Sequence, residues 1–130
     1  MKDLERELMQ YLKERHWHKL RPSDIAKSIS IEAAELLELF QWTSLTIAET
    51  KKDKEKIKKL KNELADVLIY CLEMAALLGL DAKKIIRDKL ERAREKYPAS
   101  LMRETQGRKY PGTGLYLKIK EKHRRRSRKS

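Results

Sequence analysis

Apolar residues recur at helical spacing through most of the first hundred positions, and this constrains the fold more than any other property of the chain. Leu4, Leu8, Tyr11 and Leu12 stand at i, i+4, i+7 and i+8, the stripe of an amphipathic helix ending near Trp17. Ile25, Ile29, Ala33, Leu36, Leu37 and Phe40 predict a second helix over 24–42, entered through Pro22 with Ser23 or Asp24 as its cap. Leu60, Leu64, Val67, Leu68, Cys71, Leu72 and Ala75 predict a third over 56–78, with Gly79 as its terminator. Ile85, Ile86, Leu90 and Ala93 give a weaker stripe to a fourth, which Asp81 can cap and which ends near Tyr97-Pro98. A polar connector, 43–55, separates the second and third. With only 4 Gly and 3 Pro there is too little turn chemistry for a many-stranded β fold. The expected class is all-α, a four-helix bundle. Its helices bury a modest core, so self-association is expected.

The net charge of +12 is unevenly spread. Residues 118–130 hold eight Lys or Arg and one acid, Glu121, and lack an apolar stripe, so a solvated, disordered tail is expected there. The segment 99–117, with Gly107, Pro111, Gly112 and Gly114, reads as irregular. The folded domain is therefore assigned to 1–105, and 106–130 to an irregular segment and a basic tail. No apolar run approaches the ~18 residues of a membrane span, and the charged amino terminus does not resemble a signal peptide. The single Cys71 excludes an internal disulfide framework and a Cys-based zinc cluster, so a reducing, cytoplasmic setting is expected.

Four acids carry the chemistry. Glu32 and Glu35 stand one turn apart beside the apolar stripe of the second helix, and Glu63 and Asp66 repeat the arrangement on the third. EAAELL (32–37) is echoed by ELADVL (63–68), 31 positions later. Residues at i and i+3 are neighbours on a helix, so facing helices would converge four carboxylates. Uncompensated, these would repel strongly. A hard divalent cation resolves the conflict, with Mg²⁺ or Mn²⁺ suited to an all-oxygen set. Mg²⁺ combines carboxylates with substrate phosphates, which points to phosphate chemistry. The alternative is that both pairs are ordinary solvated acids. A di-iron bundle would add His in Glu-x-x-His, but His16, His18 and His123 all lie outside these two helices.

SISIEAAELLELFQW (28–42), NELADVLIY (62–70) and EKYP (95–98) together resemble the MazG-like all-α nucleotide pyrophosphohydrolases, whose hallmark is E-x-x-E, a spacer, then E-x-x-D. The resemblance covers about residues 11–98 and is strongest to the small single-domain branch that includes dCTP pyrophosphatases. It implies an oligomeric helical bundle, a dimer or dimer of dimers. It also implies Mg²⁺-dependent cleavage of a (deoxy)nucleoside triphosphate to monophosphate and pyrophosphate, in nucleotide-pool house-cleaning. By the same resemblance Glu32, Glu35, Glu63 and Asp66 are metal ligands, and Glu38 orients or deprotonates the attacking water or is a plain surface acid. Trp42 stacks on the base or fills an interface. Tyr70 reaches a phosphate, and Lys89, Arg92, Arg94 and Lys96 hold phosphates. Leu20-Arg21 stands where the family often has Phe-His, which makes Arg21 a candidate phosphate or base contact. Ala93 stands where the family commonly has Asn.

Two other readings remain at this level. HRRRSRK (123–129) suits phosphate contacts to nucleic acid without sequence reading, or it is only a solubilising extension. A family member that senses nucleotides without hydrolysing them would keep the same acids.

Overall fold

A computed structural model describes residues 1–103 and 113–129. Seven helices occupy the described residues: α1 (Lys2–Glu14), α2 (Pro22–Glu38), α3 (Ile47–Lys52), α4 (Lys54–Leu77), α5 (Ala82–Lys96), α6 (Ala99–Arg103) and α7 (Thr113–Lys129). No strand occurs among the described residues. None of these helices is long and apolar enough to cross a membrane. The four stripes seen in the sequence are α1, α2, α4 and α5. The chain divides into two compact units, Met1–Lys83 and Lys84–Ser130.

In the first unit α4 is the central element, with α2 and α1 packed on it and α3 against it. Leu12 of α1 and Ile25 of α2 are its fully buried large side chains, joined by Ala75 and Ala82. Burying a side chain of that size stabilises by roughly 1.5–3 kcal/mol. Local chemistry sets the helix ends. Pro22 occupies the first turn of α2 with Arg21 extended before it, so the helix starts earlier than a Ser23 or Asp24 cap requires. Proline's fixed φ is already helical, and Asp24 instead places its charge in the positive first turn.

The polar connector contains α3, whose start is a capping box. The Glu49 N–H donates to Thr46 Oγ1 at 3.1 Å, and the Thr46 N–H donates to the Glu49 carboxylate at 3.1 Å. Asp53 then accepts from the Lys56 N–H at 3.0 Å and opens α4. Gly79, at φ +67, ends α4 as the sequence predicts, and the Leu80 N–H closes the turn on the Ala75 carbonyl at 2.8 Å. Just beyond, the Ala82 N–H donates to the Glu5 carboxylate at 3.3 Å, tying α1 to the start of α5.

The inward stripes are only partly covered. Leu37 is 68% exposed, and Leu64, Leu68 and Cys71 are also exposed, although the periodicity predicts all four inward. The stripe is wider than the faces that α1 and α2 offer to α4 within one chain.

The second unit holds the rest of α5, with α6 and α7. The basic segment, read as a tail without structure, is helical in α7. Tyr116 stacks on Tyr97 with ring centroids 4.9 Å apart, Lys120 lies over the Tyr116 ring, and Arg125 pairs with Glu121 one turn away at 2.6 Å. Lys and Arg are good helix formers, and Tyr116, Ile119 and His123 supply an i, i+3, i+7 face that a window beginning at 118 cuts off. Likewise Ala99–Arg103 is helical rather than irregular, and Gly114 falls within α7. Gly107, Pro111 and Gly112, read as turn formers, lie outside the described residues.

Candidate metal centre and adjoining cavity

The packing of α2 on α4 brings the two acid pairs together. Glu32, Glu63 and Asp66 each offer a carboxylate oxygen such that all three atoms lie within 4.8 Å of one another. Glu32 Oε2 and Glu63 Oε2 are shut away from solvent without a hydrogen-bond partner. Burial first, then hydrogen bonding to Glu35 and the charges of Glu35, Asp66 and Glu63, push the Glu32 carboxyl above its ordinary value. Glu63 is pushed up as well, by burial first, then by the charge and hydrogen bond of Glu35 and the charges of Asp66 and Glu38. Glu35 and Glu38 are themselves exposed, so the field runs from a half-buried floor to an open rim.

No Lys or Arg among the described residues forms an ion pair with any of these five acids. Buried carboxylate oxygens left without a donor normally have a partner the protein side chains do not supply. Three converging hard oxygens, on carboxyls of which two also carry an orphaned oxygen, fit a divalent cation. Glu32, Glu63 and Asp66 would hold it, with Glu35 at its edge.

Beside the cluster opens a cavity of about 680 Å³, within the usual range for a small-molecule site. Leu4, Glu7, Leu8 and Tyr11 of α1 form one wall and Asp24, Ile25 and Ser28 of α2 another. Trp17 and Leu20 of the connecting loop complete the mouth, and Asp66, Ile69, Tyr70 and Glu73 of α4 form the floor. Asp66 belongs to both cluster and cavity, so a molecule in the cavity meets the acids through it.

The sequence-predicted residues divide accordingly. Glu32, Glu35, Glu38, Glu63 and Asp66 share one field, and Tyr70 lines the cavity. Trp42 is 87% exposed and is not part of the cavity wall. Arg21 precedes α2, exposed, while its neighbour Leu20 lines the cavity. Lys89, Arg92, Arg94 and Lys96 lie on α5 in the second unit. Arg94 there pairs with Glu91, and the Lys96 ammonium stands 5.2 Å from the Tyr97 ring centroid. Burial first, then the charges of Lys96, Arg126 and Lys122, hold His123 below the usual imidazole range. Of the cavity residues, the sequence reading assigned only Asp66 and Tyr70 to a site; among those it missed are Trp17, which the fold brings to the cavity, and Glu73. The signal for Glu73 was present, since it stands seven residues after Asp66 on the same face of α4.

Residues 27–108 match the MazG-like family, and the chain belongs to it. Among its relatives are the dCTP pyrophosphatase 1 of Mus musculus, 33% identical over 106 residues, and that of Homo sapiens, 32% identical over 112. The aligned regions take in 79% and 85% of this chain but 62% and 65% of those proteins, so the chain spans under two thirds of their length. A pyrophosphatase from Archaeoglobus fulgidus has a similar structure, with a TM-score of 0.66 and 36% identity, covering 75% of this chain and 92% of that one.

Proposed function

We propose that the chain hydrolyses a (deoxy)nucleoside triphosphate to the monophosphate and pyrophosphate with Mg²⁺ (Mn²⁺ as substitute), clearing such nucleotides from the cytoplasmic pool. The observation that carries this is the convergence of Glu32, Glu63 and Asp66 carboxyls, with one oxygen of each within 4.8 Å of the others and an orphaned oxygen on both Glu32 and Glu63, at the edge of a nucleotide-sized cavity. The relatives' names, which specify dCTP, support a nucleoside triphosphate and make dCTP the first candidate.

When bound, a divalent cation supplies Lewis acidity toward phosphate oxygens and water. The chain's residues do the rest. Glu32, Glu63 and Asp66 would hold that cation, and Asp66 places it at the cavity where the polyphosphate end would lie. Glu38, exposed at the end of α2 with its charge reaching Glu63, takes the proton of the attacking water. The water oxygen bonds to the α-phosphorus in line, and the bond to the bridging oxygen breaks. Pyrophosphate leaves with that electron pair. Tyr70 offers a hydroxyl from the cavity floor. Lys89, Arg92, Arg94 and Lys96 are the cations of α5 assigned to charge on the leaving group, and Arg21 and Trp42 are assigned to the rim of the site.

The working form is a four-helix bundle that self-associates as a dimer or a dimer of dimers. The 68% exposure of Leu37 and the uncovered Leu64 and Leu68 support this, because a second copy would remove that apolar surface from water at roughly 25 cal/mol per Å². The domain boundary near 105 belongs to the same reading; the alternative is a non-catalytic helical protein that binds nucleotide or nucleic acid through the basic segment.

The test is a screen of nucleoside triphosphates with Mg²⁺ and separate detection of pyrophosphate and phosphate. Pyrophosphate in step with monophosphate is expected. Release of phosphate alone would place the cleavage elsewhere and sink the reading.

A further inference from the structure

Glu73 is the one buried charged residue of the described chain, 4% exposed, and it lies on the floor of the cavity. Its burial raises its pKa, and no neighbouring charge or hydrogen bond contributes to the shift. A carboxyl taken out of water without compensation is costly, and such a group in a cleft marks a functional position. Nothing in the cleavage step uses it. Seven residues separate it from Asp66, and at about 1.5 Å rise their levels on α4 are about 10 Å apart. That is the reach of a nucleoside from its α-phosphate to the far edge of its base. With the polyphosphate at Asp66, the base edge arrives at Glu73.

We propose that Glu73 selects the base, favouring one whose edge sets an amino group beside an unprotonated ring nitrogen, as in cytosine or adenine. This rests on the pyrophosphohydrolase reading and extends it to a residue that reading does not employ. One carboxyl oxygen accepts from the amino group, and a proton taken up as the base binds is shared between the other oxygen and the ring nitrogen. A neutral carboxyl can also pair with the imide edge of uracil, so the surroundings decide. Glu7, Asp24 and Asp66 also line the cavity, and among the described residues no Lys, Arg or His does. That negative field favours the amino edge, which brings donors and can take up a proton. It disfavours a carbonyl oxygen in the amino group's place.

The experiment compares dCTP with dUTP, which differ by that one exchange, as kcat/KM with Mg²⁺ for the full chain, Glu73→Leu and Glu73→Gln. The unaltered protein should favour dCTP. Glu73→Leu should shrink the dCTP/dUTP ratio about tenfold or more, mainly through KM, the scale of a hydrogen bond to an ionisable group. It should also raise the metal-free Tm, because an uncompensated buried acid is gone. Glu73→Gln offers hydrogen bonds to either edge but no acid, so it should narrow the ratio, and it decides the matter if the leucine variant fails to fold. An unchanged ratio in the folded variants, or a lowered Tm with selectivity intact, overturns the assignment. Absence of turnover of both nucleotides by the unaltered protein instead overturns the pyrophosphohydrolase reading, and the assignment with it.

Discussion

The acids between α2 and α4 and the bases of α7 are both concentrations of like charge, but the protein treats them differently. Glu32, Glu63 and Asp66 come from two helices, converge within 4.8 Å and leave two oxygens orphaned. The bases of α7 come from one helix and spread around it. Arg125 pairs locally with Glu121, both more than 60% exposed, a contact worth about 0.3–0.5 kcal/mol. In the first region repulsion is concentrated where two of the oxygens are shut off from water. In the second, water and salt dissipate it. The contrast separates a charge pattern with chemical purpose from one that only sets solubility or long-range attraction. It rests on desolvation and convergence, neither of which a count of charges reveals.

The strongest way to break the contrast is to neutralise one acid. Glu63→Gln should lower turnover about a hundredfold or more, since even a residue supporting a metal ligand is commonly worth 10–100-fold. The metal-free protein should meanwhile be as stable as before or more so, because one term of the mutual repulsion is gone. Steady-state kinetics and a thermal melt on one preparation check both halves. A large loss of Tm with activity retained would make the cluster an ordinary structural feature, like α7.

A smaller effect concerns pH. Glu32 and Glu63 have carboxyls raised above their usual value of 4.5 in the fold. The native state therefore holds those protons more tightly than the unfolded chain does. Their contribution to stability is complete below about pH 4.5 and is lost as pH rises through the raised native values. Without metal, the Tm contribution of the cluster should fall from acidic toward neutral pH. Divalent cation should reverse the loss at neutral pH, by about 2.7 kcal/mol at a hundred times its Kd. Melts at several pH values, with Mg²⁺ and with EDTA, measure it. A Tm that rises with pH in EDTA and ignores Mg²⁺ would mean the acids do not repel.

How legible the two regions were in the sequence follows from the same physics. The positions of α2 and α4 and the facing of their acids were legible, because the 3.6 periodicity and the i, i+3 spacing are local properties. The turn at Gly79 was legible for the same reason. The capping box of α3 was present as Thr46-x-x-Glu49 but lay within a stretch of polar residues that concealed it. Helix α7 was obscured because its apolar face begins at Tyr116, ahead of the basic run. Trp17 depends on which loop crosses which helix, and that is settled only by tertiary packing, whereas Glu73 was readable from its place seven residues after Asp66 on one face of α4. The exposure of Leu37 and Leu68 was opaque too, since periodicity tells that a face is apolar and not what covers it.

The smallest expected effect comes from removing the basic end. Truncation after Leu117 keeps the Tyr116 ring that stacks on Tyr97 and removes eight of the chain's 32 bases with one acid. The cut lies within α7, so the helical stub will fray, but none of the acids or cavity residues lies beyond position 73. Triphosphate turnover should stay within a few-fold of the full chain. Retention on DNA or RNA should weaken, and the full chain's retention should fall steeply with salt, because each phosphate contact releases counterions. Turnover and retention measured on both lengths at two salt concentrations settle how far the regions are independent. A folded truncation that has lost turnover would mean that bases of α7 act on the substrate, and the two concentrations of charge would then be halves of one site.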